Sequence, residues 1–314
     1  MDFFSDLLNA MPGALAQGLI WGLMAIGVYI TFKVLDLPDL TVDGTMCTGG
    51  AVCIMLMTHG VNVWVALVVA FVAGLAAGAL TGLFHTAMGI PAILAGILSQ
   101  LALYSINLRI MDDKANQAIN PDNYDLLVSL RDVRQLAADN PILVGLLFTA
   151  VIVALLYWFF GTELGSGIRA TGANPNMSRA QGINVGRNKV LGLMLSNGIV
   201  ALSRALSAQY QGFAAVHAGR GAIVIDLAAV IIGDVLFARI FHNFALKLVA
   251  VAIGAVIYYV VLQIVLTLGL NSNDLKLFSA LVVAVFLAVP YWKGKAFRGR
   301  AKAIPAGKEG APHA

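Results

Sequence analysis

Long apolar runs and short polar connections alternate along almost the whole chain. A helix that crosses a bilayer takes about 20 predominantly apolar residues, and seven runs approach or exceed that length. They cover residues 12–33, 62–84, 90–108, 141–161, 190–209, 244–268 and 277–292. Two further runs, 36–58 and 221–237, are interrupted by charged residues and glycine. The pattern predicts about nine transmembrane spans.

The apolar runs predict helices rather than barrel strands, because they lack the two-residue alternation of a membrane barrel. Backbone polar groups in lipid must be satisfied internally, which leaves those two architectures. Hydrophobic residues make up 60% of the chain and charged residues 11%, against about 45–50% and 25% in a soluble domain. We therefore expect an all-α polytopic membrane protein whose first partner is the lipid bilayer.

The distribution of basic residues predicts how the chain is oriented. Short cytoplasmic loops are enriched in Lys and Arg, and placing the loop 162–189 inside puts thirteen of the 20 such residues on that side. The N-terminus is then outside and the C-terminus inside. The run at 12–33 is longer than the core of a signal peptide and follows no basic segment, so we expect it to remain as a span.

This arrangement divides the chain into a transmembrane domain, 1–293, and a basic cytoplasmic tail, 294–314. The net charge of +4 comes mostly from that tail and the cytoplasmic loops, so the expected partner of this charge is a membrane surface and not nucleic acid.

The longest polar stretch, 111–140, is predicted to lie outside. Five of its apolar residues at helical spacing predict a surface helix: Leu126, Leu127, Leu130, Val133 and Leu136. That helix either caps the bundle or contacts an extracytoplasmic partner through nearby acidic residues.

Acidic residues, a proline and a glycine crowd the start of the interrupted run 36–58. A carboxylate at the bilayer centre costs a few kcal/mol, so such a segment persists only beside a cavity or inside protein. One interpretation is a discontinuous helix beside a transport path, with unwound backbone at Gly44. The other is that Asp36 and Asp39 form an interfacial cap, with Asp39 as the N-cap of the next helix and Asp43 satisfied internally.

A second interrupted stretch, 211–234, follows the span 190–209 in the way that the first follows 12–33. The two units begin on opposite sides of the membrane, so they form a weak inverted repeat. Inverted repeats with interrupted helices point to a binding site near the midplane of a transporter.

Polar and glycine positions within the predicted spans are the candidates for a solute pathway. They are Gln17, Asp39, Thr41, Asp43, Gly44, Asn197 and Arg204. The structural alternative for each is a hydrogen bond between helices, worth about 0.6 kcal/mol on average. A lone arginine in a span usually faces a cavity or an acid. Four further charged residues are expected to form ion pairs: Arg220, Asp226, Asp234 and Arg239.

Motifs for catalysis and metal binding are missing from the sequence. There is no GxxxxGK[ST] phosphate loop, no HExxH and no GxSxG, and the five histidines are scattered. Cys47 and Cys53 lack the spacing of a metal site and fall inside a predicted span. We expect no enzymatic activity, no cofactor and no metal, and the chain has no phosphate loop with which to bind ATP by itself.

The polar loop 163–189 is too long and too basic to be a simple connection. Helix connections take about two to eight residues, whereas this one carries three arginines, a lysine and a single acid, Glu163. Asn174 and Pro175 are suited to begin a short helix within it. The loop therefore predicts a docking surface for a cytoplasmic partner.

Two segments resemble the membrane permeases of bacterial ABC importers of the ribose and branched-chain amino acid type. The first, DLTVDGTMCTGGAV from Asp39, is similar to the acidic, glycine-containing start of a broken second helix in ribose-type permeases. The second, IRATGANPNMSRAQGINVGRNKVLGLMLSNGIVAL from Ile168, contains R-A-x-G-x-N-P and G-I-N elements like those of their cytoplasmic coupling loop. The similarity covers residues 17–289.

The resemblance implies the permease subunit of an ATP-binding cassette importer in the inner (plasma) membrane of a bacterium. Two copies would form the pathway as a homodimer, ABC ATPase subunits would hydrolyse ATP, and an extracytoplasmic binding protein would deliver the solute. The ATPases would grip a coupling helix within 165–186. The matching coupling residues are Glu163, Gly165, Arg169, Ala170, Gly172, Asn174, Pro175 and Gly182.

The resemblance also bears on the solute. Within the family the chain is similar to permeases associated with aromatic amino acids, and Asp43 differs from the serine- or glycine-like residue expected in sugar permeases. An amino-acid-like solute is therefore favoured over a sugar. The alternative function is an ion-coupled secondary transporter that relies on an intramembrane carboxylate such as Asp43.

Overall fold

The computed structural model describes residues 3–121, 123–134, 140–237, 240–241 and 243–268, with isolated positions between 277 and 288. Most of this part of the chain is helical. The α-helices are α1 (Phe3–Tyr29), α2 (Thr41–Thr58), α3 (Val63–Thr86), α4 (Ala92–Ile110), α5 (Pro141–Gly161), α6 (Glu163–Ala173), α7 (Pro175–Ala180), α8 (Val185–Gln211), α9 (Ala222–Phe237) and α10 (Phe244–Thr267). The shorter elements are a π-helix (Ile30–Val34), a 3-10 helix (Leu130–Arg134), β1 (Asn116–Ala118) and β2 (Phe213–Ala215).

This architecture confirms the all-α class and a polytopic membrane protein. Seven helices are long and apolar enough to cross a membrane: α1 with its π-helical extension, α2, α3, α4, α5, α8 and α10. α9 covers the second interrupted run with 16 residues. The last predicted span, 277–292, falls mostly outside the described residues, and the tail, 294–314, falls wholly outside them. The total of about nine spans and the orientation stay predictions.

α8 is the central helix of the bundle and packs against α1, α2 and α3. Residues 196–210 of α8 are all buried except Leu202. The α3 side of this contact carries the small residues Gly74, Gly78 and Gly82, which let the two backbones approach closely. α9 and α10 pack with α1, α4 packs with α2 and α3, and α5 packs with α1 and α10.

The chain re-enters the bundle between α8 and α9. α8 ends at Gly212, whose left-handed φ of +76° turns the chain, and β2 then pairs antiparallel with β1. Residues 216–221, the re-entrant segment, lie against α2. The Cys47 thiol donates a hydrogen bond to the Val216 carbonyl (3.0 Å) and accepts one from the Gly219 N–H (3.3 Å). α9 begins directly after this segment, which confirms the predicted interruption.

The first interrupted stretch breaks earlier than expected. Residues 36–40 are not helical, Asp36 has a φ of +54°, and α2 is continuous from Thr41 onwards. The predicted unwinding at Gly44 is therefore wrong. Gly44 instead allows α4 to approach α2, since an added Cβ would lie 3.0 Å from the Cα of Gln100.

The prediction of a surface helix in the long polar loop is also wrong for the residues that the structure describes. The segment forms turns followed by the 3-10 helix Leu130–Arg134. The Leu127 N–H donates a hydrogen bond to the side-chain oxygen of Gln209 in α8 (3.1 Å), and Val128 is buried in the core. The segment thus packs into the end of the bundle. Leu136 lies outside the described residues.

The contact between α2 and α8 provides a test of this packing. Gly49 lies against α8, where an added Cβ would come within 2.6 Å of the Ala201 Cα. We expect Gly49→Ala to lower the midpoint of thermal unfolding in detergent, because overpacking costs about 1–3 kcal/mol. The control is Gly161→Ala at the end of α5, where no atom lies within 4 Å of the added Cβ. Equal midpoints for the two variants would contradict the close contact.

Candidate functional site

Asp39 anchors a buried network at the start of α2. Its Oδ1 accepts the N–H of Thr41 (2.9 Å), and its Oδ2 accepts a hydrogen bond from the Asn197 amide of α8 (2.8 Å). The Asn197 Oδ1 accepts in turn from the Thr45 hydroxyl (2.7 Å). Asp39 precedes the membrane-spanning α2, and burial raises the pKa of its carboxyl although these hydrogen bonds oppose the shift. The N-cap of α2 is Leu40, so the expectation that Asp39 holds that position is wrong, but Asp39 satisfies the first N–H of α2 and ties this helix to α8.

Asp43 holds the start of α9. Its Oδ2 accepts the Gly221 N–H and its Oδ1 accepts the Ile223 N–H, both at 3.1 Å. The first N–H groups of a helix have no acceptor within that helix, and a carboxylate at this end also complements the helix dipole. Asp43 is thus satisfied within the protein, as expected from the sequence, by the helix that follows the re-entrant segment.

A cavity of about 400 Å³ lies between α2, α4 and the re-entrant segment. α4 contributes Gln100, Tyr104 and Asn107, which the helical repeat brings onto one face. α2 contributes Asp43, and the re-entrant segment contributes Arg220. Since Gln100 and Tyr104 stand in the middle of α4, the cavity lies at about the mid-depth of the bundle.

Five of the predicted pathway residues come together in or beside this cavity. Asp43 and Gly44 line it, while Asp39, Thr41 and Asn197 form the buried network at the adjoining start of α2. The cavity and the network share α2, because Gly44 and Thr41 lie in its first turn. The structure thus groups these residues around the beginning of one helix.

Gln17 and Arg204 lie elsewhere. Gln17 is half-buried on α1 and does not line the cavity. The buried Arg204 guanidinium donates hydrogen bonds to Ser207 and Gln211 of its own helix, both at 3.0 Å. Both hydrogen bonds come from one guanidinium nitrogen, Nη1, so the expectation that Arg204 faces a cavity or an acid stays a prediction.

The remaining charged residues form one ion pair among the described residues. Asp234 of α9 pairs with Lys33 at the end of α1 (2.7 Å), so α9 is held at its second end as well. Asp226 is buried with one oxygen, Oδ2, that has no hydrogen-bond partner. Arg220 lines the cavity and forms no ion pair with a described residue. Arg239 lies outside the described residues.

Sequence reasoning missed most of the cavity lining. Gln100 and Asn107 were not among the predicted pathway residues, and Cys47 was considered only as a metal ligand. The available signal was the polar spacing of Gln100, Tyr104 and Asn107 on one face of an apolar helix. The contribution of Arg220 needed the path of the re-entrant segment, which no local pattern predicts.

α6 and α7 occupy the loop that was predicted to dock a partner. Thr162 caps α6 through its side chain. Asn174 caps α7 by accepting the N–H groups of Asn176 and Met177 at 3.1 and 3.0 Å, and Pro175 occupies the first position of the helix. The predicted helix start at Asn174 and Pro175 is confirmed.

Close contacts fix α6 to the bundle. Gly172 lies so near the Val34 carbonyl at the end of the π-helix that an added Cβ would overlap with it. Gly165 approaches the end of α5 in the same way. The Arg169 guanidinium lies 5.7 Å from the ring centroid of Phe244 in α10, within reach of a cation–π interaction. α6 therefore touches the ends of three long helices.

The other coupling residues make hydrogen bonds or turns within the loop itself. Glu163 is the exposed first residue of α6, and the Ala170 carbonyl accepts the N–H of Asn174 (3.0 Å). Gly182 has a φ of +78° and turns the chain between α7 and α8. α8 begins at Val185, five residues before the predicted span.

Comparison with known proteins identifies the family of this chain. Residues 11–290 match the family described as "Branched-chain amino acid transport system / permease component". The chain belongs to this family. It is an ABC importer permease, and its long apolar helices make it a multi-pass protein of the bacterial inner membrane.

Two of the curated relatives below are named as permeases, for different solutes, and the third carries no named function. The permease is 37% identical over 300 residues to a tyrosine transport system permease protein of Clostridioides difficile, covering 95% of this chain and 97% of that protein. It is 33% identical over 283 residues to an uncharacterised protein of Rickettsia prowazekii, covering 90% and 98%. A ribose import permease protein of Escherichia coli is 27% identical over 295 residues, covering 92% and 87%. No solved structure matches the chain.

The buried network yields a second test. Asn197→Leu removes the hydrogen bonds to Asp39 and from Thr45, and an unsatisfied buried polar group costs about 1–3 kcal/mol. We expect a clearly lower midpoint of thermal unfolding in detergent. Gln17→Leu is the matched control, because the half-buried Gln17 amide has no hydrogen-bond partner among the described residues. Equal midpoints for the two variants would show that the network does not contribute to stability.

Proposed function

We propose that this permease carries an amino-acid-like solute, delivered by an extracytoplasmic binding protein, through a pathway that includes the cavity beside α2 and α4. Family membership implies ABC ATPase and binding-protein partners. ATP is hydrolysed by the partner, and two copies of the chain form the complete pathway. The proposal keeps the predicted orientation, with α6 and α7 on the cytoplasmic side.

The geometry of α6 and α7 carries this proposal. Both helices begin at capped positions, so they form a rigid surface rather than a flexible loop. That surface presents an apolar residue, Met177, which is 63% exposed. An exposed methionine on a short helix suits insertion into an apolar groove of a partner.

A movement of α6 has a direct route into the bundle. Gly172 leaves no space between α6 and the end of α1, and the neighbouring Lys33 pairs with Asp234 of α9. The opposite end of α9 is held by Asp43 at the cavity. In this proposal, a displacement that the ATPase imposes on α6 reaches the cavity through α1 and α9.

The amino-acid-like solute is supported by two observations. The Clostridioides difficile relative, at 37% identity, is named for tyrosine, whereas the ribose import relative stands at 27%. The cavity also contains an acid and a base, Asp43 and Arg220, which a neutral sugar does not require. The alternative of an ion-coupled carrier has no specific support, because Asp43 already has a structural partner in α9.

Met177 allows a direct test of the docking surface. We expect Met177→Glu to reduce the ATPase that co-purifies with the tagged permease by about ten-fold or more, the effect of losing an apolar anchor. ATP-dependent uptake should fall in parallel, while the yield of folded permease stays unchanged because the residue is exposed.

The control for this test is Met88→Glu between α3 and α4. Met88 is 66% exposed, lies near the same end of the bundle, and receives the same charge. Full recovery of the ATPase with Met177→Glu, or an equal loss with Met88→Glu, would contradict docking on α7.

A further inference from the structure

Several polar groups around the cavity have no partner in the part of the chain that the structure describes. Asn107 is completely buried, and its amide nitrogen donates to the Gly44 carbonyl (3.3 Å), but its Oδ1 has no hydrogen-bond partner. The side chains of Gln100 and Arg220 make no hydrogen bond or ion pair with any described residue. A buried acceptor left unpaired lowers stability, so its retention beside a cavity points to a ligand that pairs with it.

Two opposite charges line the same space without neutralising each other. Asp43 stands on α2 and Arg220 on the re-entrant segment, and the two side chains do not form an ion pair. Each Asp43 oxygen accepts one hydrogen bond, from Gly221 or from Ile223, and a carboxylate oxygen has room for a second. The cavity therefore presents a negative side that accepts and a positive side that donates.

Part of the cavity lining is aromatic and apolar. It includes the ring of Tyr104, which stacks on His217 outside the lining, with 5.6 Å between centroids and 23° between planes. Ile97 and Leu101 of α4 extend the same part of the lining. A volume of about 400 Å³ falls in the range of small-molecule sites, so the space suits a solute with a side chain as well as a charged head.

The position of Arg220 supports a water-filled path rather than contact with lipid. The residue is exposed on the protomer surface and lies level with the middle of α4. A charge at this depth is costly against hydrocarbon and usually faces the bundle interior or a water-filled cavity. This side of the protomer therefore faces water or protein.

We propose that the cavity binds an α-amino acid in transit through both ends of its zwitterion. Arg220 binds the carboxylate, Asp43 and the Asn107 Oδ1 bind the ammonium group, and the ring of Tyr104 borders the side chain. This inference rests on the proposed function, and it adds the groups of the chain that touch the solute.

The test measures initial uptake into proteoliposomes that contain the complete importer, with ATP available to the ATPase. The probes are a mixture of ¹⁴C-labelled proteinogenic L-amino acids and, in parallel, ¹⁴C-ribose. We expect Arg220→Gln to lower amino acid uptake by about ten-fold or more, the factor for loss of a charged hydrogen-bonding partner. Arg220→Lys keeps the charge and should retain a larger share of uptake.

The control is Arg109→Gln, which removes an exposed arginine of α4 that does not line the cavity, and it should match the wild type. Wild-type amino acid uptake by Arg220→Gln would overturn the zwitterion site and leave the proposed function standing. Uptake of ribose without amino acids by the unaltered importer would overturn the proposed solute class together with the site.

A second variant tests the ammonium end. Asn107→Leu has a similar volume and removes the unpaired oxygen, so we expect a midpoint of thermal unfolding that is not lowered, together with about ten-fold or more loss of amino acid uptake. Loss of stability without a specific loss of uptake per folded molecule would assign Asn107 to packing and overturn its role in the site.

Discussion

The two hydrogen bonds from Gly221 and Ile223, at the junction of the re-entrant segment with α9, to the Asp43 carboxylate hold that segment inside the bundle. Backbone N–H groups within a membrane protein must find acceptors in the protein itself, and a helix that begins inside the bundle exposes several of them. α2 supplies that acceptor from its own first turn. Without it, the chain could not turn at mid-depth, and the cavity between α2, α4 and this segment would have no third wall.

The same helix connects the two regions that we propose to be functional, the cavity and the surface of α6 and α7. α9 starts at the cavity and carries Asp234, which pairs with Lys33 near the surface formed by α6 and α7. Gly172 keeps α6 in contact with the end of α1 beside that ion pair. An importer needs such a link, because energy released at an ATPase has to change the shape of a distant solute path. Here each step of the link is a close contact between named groups.

The sequence predicted the long helices well because their signal is local. α5 begins and ends at the predicted residues, 141 and 161, where a proline at the first helical position and the polar Asn140 before it mark the start. The cap of α7 by Asn174 was predictable for the same reason. These features depend on residues that are neighbours in the chain.

Features that depend on distant partners were missed or placed wrongly. The prediction of a surface helix was wrong because the segment around Leu127 bonds to the Gln209 side chain and packs against the core. The pairing of β1 with β2 joins strands of three residues each, too short to leave a pattern. Arg220 lines the cavity because the re-entrant segment brings it there, a placement that no local pattern predicted.

The most direct test of the account is a cryo-electron microscopy structure of the importer purified from native membranes with its partners. The account predicts two copies of the permease, an ATPase seated on α6 and α7 of each, and Arg220 facing the shared pathway. An ATPase docked on another surface, or Arg220 turned towards lipid, would contradict it.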